Sequence, residues 1–283
     1  MKTASEPIHI VRGEGALLFD VNGKSYIDAI SSWWTNLHGH AHPYIAQKLF
    51  EQAQQLEHVI FAGFTHTPAQ QLAQRLIEDH LPKSISKIFY SDNGSTSVEV
   101  AIKMAIQYWK NIDTPKKKII AFLNSYHGDT FGSMSVSERG AFTKPFHDYL
   151  FDVEFITPPF AGSENESVEQ FKKIIADNNI AAFIYEPLVM GAGGMLMYEA
   201  EALNNLLQVA KENNIICIAD EVMTGFYRTG KMFAGDHCSN KPDIICLSKG
   251  LTGGTMALGI TACEQFIYDA FYADDKMKTF FHG

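Results

Sequence analysis

Apolar positions in this chain follow two periods. The runs Ile88 to Ser91, Ile119 to Leu123, Ala181 to Tyr185, Ile215 to Ala219 and Ile244 to Leu247 are apolar almost without interruption, and each has strand length. Between them the period changes. Val98, Ile102, Ala105, Ile106 and Trp109 form one stripe at helical spacing, and Leu203, Leu206, Leu207 and Ala210 form another. Strands that are apolar on both faces and separated by helices predict an α/β fold with a mostly parallel central sheet and flanking helices. Ligands bind such sheets beyond the carboxyl ends of the strands. The residues that follow each apolar run are therefore the first place to look for chemistry.

Turn and cap signals add detail. Ala16 to Val21 and Ser25 to Ile30 flank Asn22-Gly23 and read as a hairpin. Thr67-Pro68 opens a helix, with Thr67 as its cap and Pro68 at its first position. A later helix is expected to start at Ser167, with Gln170 at capping-box spacing. Pro158 to Gly162 reads as a surface loop.

Composition narrows the classes. With 283 residues, 46% of them hydrophobic, the chain can build one large α/β domain and pieces of a second. Its net charge is −9 and no basic stripe is visible, which argues against nucleic-acid and anionic-membrane partners. Met1 to Gly15 lacks an apolar core segment, and no apolar run has the length of a membrane span. A cytoplasmic setting is expected. Cys217, Cys238, Cys246 and Cys263 form no Cys-x-x-Cys pair, so neither a disulfide framework nor a zinc site is expected. His38, His40 and His42 are close in sequence but no cysteine or carboxylate cluster accompanies them. A structural turn is the expectation there, and no metal.

Three strand ends carry unusual residues. Ser91-Asp92-Asn93-Gly94-Ser95-Thr96 precedes a helix. Its free amides and the hydroxyls of Ser95 and Thr96 suit a phosphate, but taken alone an ordinary helix cap is the favoured reading, since short Gly-Ser turns are common. Asp220 and Glu221 end another apolar run. Acids there need partners. Asp220 suits a metal, a cationic cofactor nitrogen or a cap. Lys249 ends a third run, with Gly250, Gly253 and Gly254 behind it. Burial would lower its pKa and free the amine as a nucleophile, whereas an ordinary lysine would reach to solvent. Together, a phosphate cup, a buried acid and a strand-end lysine match the phosphate, ring nitrogen and aldehyde of pyridoxal phosphate (PLP).

Longer motifs sharpen this. Asp220-Glu221-Val222-x-Thr224-Gly225-Phe226-x-Arg228-Thr229-Gly230, followed by Ser248-Lys249-Gly250, resembles the signature of the class III aminotransferases, PLP enzymes of fold type I. The resemblance covers the whole chain. Ser31-Ser32-Trp33-Trp34, His38-Gly39-His40, Tyr126 to Gly132, Glu186-Pro187 and Gly191 to Met195 are similar to the branch that acts in biotin biosynthesis. The paired tryptophans set that branch apart from ornithine, acetylornithine and 4-aminobutyrate relatives.

The resemblance implies roles. Lys249 holds PLP covalently, and Asp220 pairs with its ring nitrogen. Gly94 and Ser95 hold the phosphate. Tyr126 stacks on one ring face and Val222 packs on the other. Trp33 lines the substrate pocket, with Trp34 and Arg228 near it, and Gly283 also belongs to the substrate site. Lys249, Asp220 and Tyr126 are the catalytic set. A small-molecule amino donor and a keto acceptor are the implied partners, with S-adenosylmethionine as the donor and lysine serving some relatives. A homodimer is implied as well. The resemblance further divides the chain into residues 1–50, a hairpin and substrate-facing loop of the small domain, and residues 51–283, the large PLP-binding domain. Phe281-His282-Gly283 resembles the start of a His-Gly-Pro-Thr turn, so both family ends and the carboxy-terminal small domain are expected to lie outside this chain.

Overall fold

A parallel strand needs a crossover to reach its neighbour, and the helical stripes between the apolar runs supply those crossovers. The computed structural model describes residues 4–177 and 179–282. It opens with three antiparallel strands, β1 (Ile10–Glu14), β2 (Leu17–Asp20) and β3 (Ser25–Ile27). The expected hairpin is the β2–β3 pair. Asp20 Oδ1 accepts the amides of Asn22 and Lys24 at 2.9 and 3.0 Å, and Gly23 takes φ +80°. The second strand stops at Ile27 because the next residues leave the sheet for a turn, α1 (Ser31–Trp34). Helices α2 (Pro43–Ala53) and α3 (Thr67–Arg75) follow. The cap of α3 is His66, whose Nδ1 accepts the Ala69 amide at 3.4 Å. Thr67 is therefore already helical, one residue later than its expected place as cap.

The rest alternates strand and helix, with α5 and β6 beyond what the periodicity predicts: β4 (Ile85–Ser91), α4 (Gly94–Asn111), β5 (Lys118–Phe122), α5 (Phe131–Ser135), β6 (Glu154–Ile156), α6 (Glu164–Ile175) and β7 (Ile180–Tyr185). A short hairpin, β8 (Val189–Met190) and β9 (Leu196–Met197), leads to α7 (Ala200–Glu212), β10 (Ile216–Asp220), β11 (Ile244–Leu247), β12 (Gly259–Glu264) and α8 (Gln265–Asp269). The start of α6 differs from expectation. Ser167 lies inside the helix, where its hydroxyl donates to the Ser163 carbonyl at 3.0 Å. Gln170 Oε1 accepts the Thr157 amide at 2.8 Å instead of capping. Glu164 and Glu166 fill the first turn, where carboxylates suit the positive end of the helix.

The main sheet has seven strands in the order β4-β12-β11-β10-β7-β5-β6. All run parallel except β12, which is antiparallel to both β4 and β11. Alternate residues feed two cores. Phe122, Phe183, Tyr185, Cys217 and Ala219 pack with Phe171 of α6 and Leu203, Leu206 and Leu207 of α7. Ala121, Ile184, Ile216, Ile218 and Ile244 pack on the other face with Val98, Ile102 and Trp109 of α4. The Trp109 indole N–H donates to the Ala181 carbonyl at 2.8 Å, so a buried donor is satisfied across the sheet. Among the described residues, no helix is long and apolar enough to cross a membrane.

Phe183 lies in the middle of this arrangement, fully buried, with edge-on rings from Phe122 and Phe171 at 5.3 and 5.1 Å. Phe183→Ala should lower unfolding stability by about 3–5 kcal/mol. A loss of unfolding free energy under about 1 kcal/mol by urea titration would show that the core around α6 and α7 collapses into the space of the missing ring.

Candidate active site

Because β4, β5, β7, β10 and β11 run in one direction, the residues after their carboxyl ends meet on one edge of the sheet. They line a cavity of about 510 Å³. Asn93, Gly94 and Ser95 come from the end of β4, Tyr126 to Thr130 from β5, Glu186 from β7, Asp220 and Val222 from β10, and Ser248 and Lys249 from β11. Trp34, Gly191 and Met223 complete the walls. The three strand ends singled out in the sequence thus share one space.

At the α4 end, Asn93 is the cap. Its Oδ1 accepts the Thr96 amide at 3.0 Å, and Thr96 Oγ1 accepts the Asn93 amide at 2.9 Å. Thr96 therefore belongs to the cap, which is the favoured of the two readings its sequence offered. First-turn amides have no intrahelical acceptor, so those of Gly94 and Ser95 suit an anion at the positive helix end. Gly94 is required by close approach: a Cβ there would lie 2.8 Å from Val222 Cγ1. Gly128 is required twice over, by φ +132° and by a Cβ position 2.2 Å from Ser95 Oγ. That proximity lets Ser95 Oγ accept the Asp129 amide at 3.1 Å.

Asp220 ends β10 almost fully buried. Its Oδ2 meets His127 Nδ1 at 2.7 Å, and its Oδ1 accepts the Val222 amide at 3.1 Å. A carboxyl oxygen facing Nδ1 assigns the ring proton to that nitrogen. His127 is also buried, its amide donating to Ser137 Oγ at 2.8 Å, while its Nε2 has no partner among the described residues. Glu221, the second acid, turns away into the protein. It accepts from Thr224 Oγ1 (2.5 Å) and from the amides of Ala234 (3.0 Å) and Gly235 (2.7 Å), and so clamps the loop that carries Phe226 to Arg228. Burial pushes its carboxyl up to about 7.

Glu186 is a lining residue that the strand-end reading passed over. Its two oxygens accept the amides of Tyr126 and Gly191, both at 2.9 Å. Burial also raises this carboxyl to about 7, against the pull of His127 and the Tyr126 amide. Tyr126 lines the cavity, and its hydroxyl donates to Asp129 Oδ2 at 2.8 Å. Desolvation and that carboxylate hold the phenol well above its ordinary value. His127 and Glu186 both lie in motifs read from the sequence. Only the pairing of His127 with a residue 93 positions away gives it a role.

Lys249 takes φ +42°, an uncommon backbone state for a lysine. It follows β11 directly, and burial depresses its amine below the ordinary lysine value, opposed by Asp220 and Glu186 and aided by Arg228. Its Nζ lies 5.2 Å from the centroid of the Trp34 ring. Of the paired tryptophans, Trp34 lines the cavity. Trp33, expected there, is exposed and stands edge-on to Trp34 at 6.2 Å. Arg228 stays outside the lining and donates from Nη2 to the Trp34 carbonyl at 2.7 Å. Ser31 to Trp34 all take positive φ, a left-handed turn that costs about 1–2 kcal/mol per residue for L-amino acids. His38 and His42 face each other edge-on, and His40 bonds Asp28 and Asn36. Gly283 lies outside the described residues.

Comparison with known proteins decides the family. The profile described as "Aminotransferase class-III" matches residues 1–282. The adenosylmethionine-8-amino-7-oxononanoate aminotransferase of Synechococcus elongatus is 49% identical over 100% of this chain and 68% of its own length. The chain belongs to the class III aminotransferases. The enzyme of that name from Staphylococcus aureus is 41% identical over 98% of this chain and 65% of its own. The crystal structure of the Methanocaldococcus jannaschii protein of that name superposes with a TM-score of 0.92 at 38% identity, covering 99% of this chain and 65% of that one. An amine transaminase from an uncultivated Pseudomonas species, solved with PLP bound, gives 0.93 at 30% identity, over 99% of this chain and 68% of that one. The chain thus spans about two thirds of the length of these relatives.

Class III aminotransferases use PLP, and the residues present fit it. The cavity places an anion-binding helix end, a buried acid and an amine on three of its walls. Gly94 and Ser95 would hold the phosphate, Asp220 the ring nitrogen, and Lys249 the aldehyde carbon.

Two outcomes follow from the geometry. Gly94→Ala should weaken PLP binding by at least tenfold, and Val222→Ala in the same chain should restore part of it, because the clash is with Val222. No restoration, read by cofactor titration, would place the fault elsewhere. Asp220→Asn should move the titration of Lys249 to lower pH and Arg228→Gln should move it higher, since Asp220 raises the amine's pKa and Arg228 lowers it. The pH dependence of Lys249 acylation in the cofactor-free protein measures both. Shifts of the same sign would refute the electrostatic account.

Proposed function

We propose that the whole protein transfers an amino group to 8-amino-7-oxononanoate, giving 7,8-diaminononanoate for biotin synthesis, with S-adenosylmethionine as the donor. One observation carries this reading: Lys249, Asp220, Gly94 and Tyr126 line one cavity, in a chain 49% identical to a relative that bears that activity as its name. Lys249, Asp220 and Gly94 sit at strand ends or a helix start, where the backbone holds them rigidly, and Tyr126 lies in the loop after β5, held by the bond from its amide to Glu186 at 2.9 Å.

When bound, PLP supplies a carbonyl that links to amines and a ring that accepts electrons from carbon. The chain's own residues do the rest. Lys249, with its depressed amine, would move the proton of the donor carbon, acting as base and then as acid. Asp220 would keep the ring nitrogen protonated, and His127 holds Asp220 in place. Tyr126 and Val222 line the cavity and would enclose the ring, and the Trp34 wall limits the space left for substrate. The donor and the acceptor use the same cavity in turn, so the kinetics are ping-pong.

The implied homodimer and a cytoplasmic setting belong to the same reading. The four cysteines are all free and buried, as suits a reducing compartment. The separate three-stranded sheet supports a distinct amino-terminal part, although residue 50 itself falls inside α2 (Pro43–Ala53).

Lys249→Ala should reduce transamination by the full-length protein by more than ~10⁴-fold, because it removes both the covalent anchor and a general base worth about 10²–10⁴ alone. Substantial residual turnover would refute its role. Asp220→Asn should slow the single-turnover proton shift more than it weakens PLP binding. A donor screen on the PLP-loaded protein, following the cofactor band, separates the substrates. Bleaching by S-adenosylmethionine supports the proposal; bleaching by ornithine or 4-aminobutyrate alone reassigns the branch, and by lysine alone replaces the donor.

A further inference from the structure

The turn Ser31–Trp34 is strained backbone. Its four residues take φ values of 47° to 65°, and none is glycine. A free L-peptide does not hold such a run. Backbone bonds close it, from the Trp34 N–H to the Ile30 carbonyl at 2.8 Å and from the Thr35 and Asn36 N–H groups to the Ser31 carbonyl at 2.9 Å, and Arg228 holds the Trp34 carbonyl. Side chains at its amino-terminal side add further ties. Asp28 Oδ1 accepts the Ser32 amide at 2.9 Å, and Asp28 Oδ2 accepts the Ser32 hydroxyl at 2.7 Å. The same Oδ2 meets His40 Nε2 at 2.9 Å, and His40 Nδ1 meets Asn36 Nδ2 at 2.9 Å. An amide nitrogen only donates, so Nδ1 accepts and the ring proton on Nε2 points at Asp28. His40 is anchored in turn. Its backbone exchanges two hydrogen bonds with Gly15, between β1 and β2, and its Cβ fills the space where a Cβ on Gly13 would lie, 2.6 Å away.

Neither Asp28 nor His40 lines the cavity, whereas Trp34 does. We propose that Asp28 and His40 are positioning residues: they lock the left-handed turn and thereby hold the Trp34 indole against Lys249 as a wall of the substrate space. The proposal rests on the aminotransferase reading of the cavity. The Asp28 side chain is only 7% exposed; its bond to His40 is partly buried, while its two bonds to Ser32 lie at the exposed side of the turn. Without them the turn relaxes toward right-handed backbone angles, and the indole leaves the wall. Lys249 and Asp220 keep their places, since they belong to the main sheet. Substrate affinity therefore falls while the chemistry persists.

The test uses the full-length, PLP-loaded protein with every tryptophan except Trp34 replaced by phenylalanine. Acrylamide quenching of Trp34 should rise severalfold in Asp28→Ala. It should rise less in His40→Ala, which keeps both Ser32 bonds, and least in Asp28→Asn, whose amide oxygen still accepts the Ser32 N–H. KM for donor and acceptor should rise severalfold in Asp28→Ala with kcat nearly retained. Unchanged quenching in folded Asp28→Ala overturns the proposal whatever the activity does, and so does a loss of kcat at unchanged KM. If Asp28→Ala does not fold, His40→Ala decides by the same two readouts. A parent protein that bleaches with no amine donor would instead sink the aminotransferase reading, and the quenching series would still show whether Asp28 and His40 hold the turn.

Discussion

Asp220 and Lys249 leave adjacent parallel strands almost in step, Asp220 opposite Cys246 and Lys249 three residues beyond it. Placing an acid and an amine together at a dry sheet edge is unfavourable unless each is compensated. Burial drives the Lys249 amine toward its neutral form while Asp220 and Glu186 pull the other way. Asp220 is compensated from the far side by His127 and from its own turn by the Val222 amide. That balance keeps a buried amine and a buried acid in one cavity, and the rest of the site is arranged around it.

The sheet makes the balance possible. Five strands running in one direction bring their carboxyl ends to one edge, and the cores on both faces leave those ends little freedom to move. Glycine appears where backbone must come close. Gly94 lets the α4 terminus reach Val222, and Gly128 lets the Tyr126 loop reach Ser95. Glu186 then ties that loop to Gly191, and Glu221 ties down the loop that carries Arg228. Two buried carboxyls raised to about 7 serve as acceptors for backbone amides. Their stabilising or destabilising effect is set by linkage. The folded values lie above the ordinary 4.5, so this contribution is fully present below about 4.5 and is lost as pH rises through about 7.

The small amino-terminal sheet contributes differently. Gly15, His40 and Asp28 form a relay of hydrogen bonds from that sheet to the turn of Trp33 and Trp34. The strain in the turn is offset by this relay and by the Arg228 bond to the Trp34 carbonyl. A cavity wall built on strained backbone responds to small changes at its supports, whereas the main sheet does not.

The periodicity of the sequence alone determined the central strands, the order of helices between them and the three strand ends that carry Ser95, Asp220 and Lys249. Those features depend on neighbours in the chain, whose spacing is written in apolar and polar letters. The short strand β6 and the antiparallel strand β12 escaped that reading. Three residues are too few to show a period, and Gly259 to Glu264 mixes glycine and threonine into a run whose strand character comes from pairing with β4 and β11. Tertiary structure also decided which of Trp33 and Trp34 faces the cavity, since positive φ at four successive residues reverses the usual direction of side chains. It decided that Thr96 completes a cap, that Glu221 turns inward and that His127 supports Asp220. Each of these depends on a partner distant in sequence or on the hand of the backbone, and neither is encoded in the spacing of apolar residues.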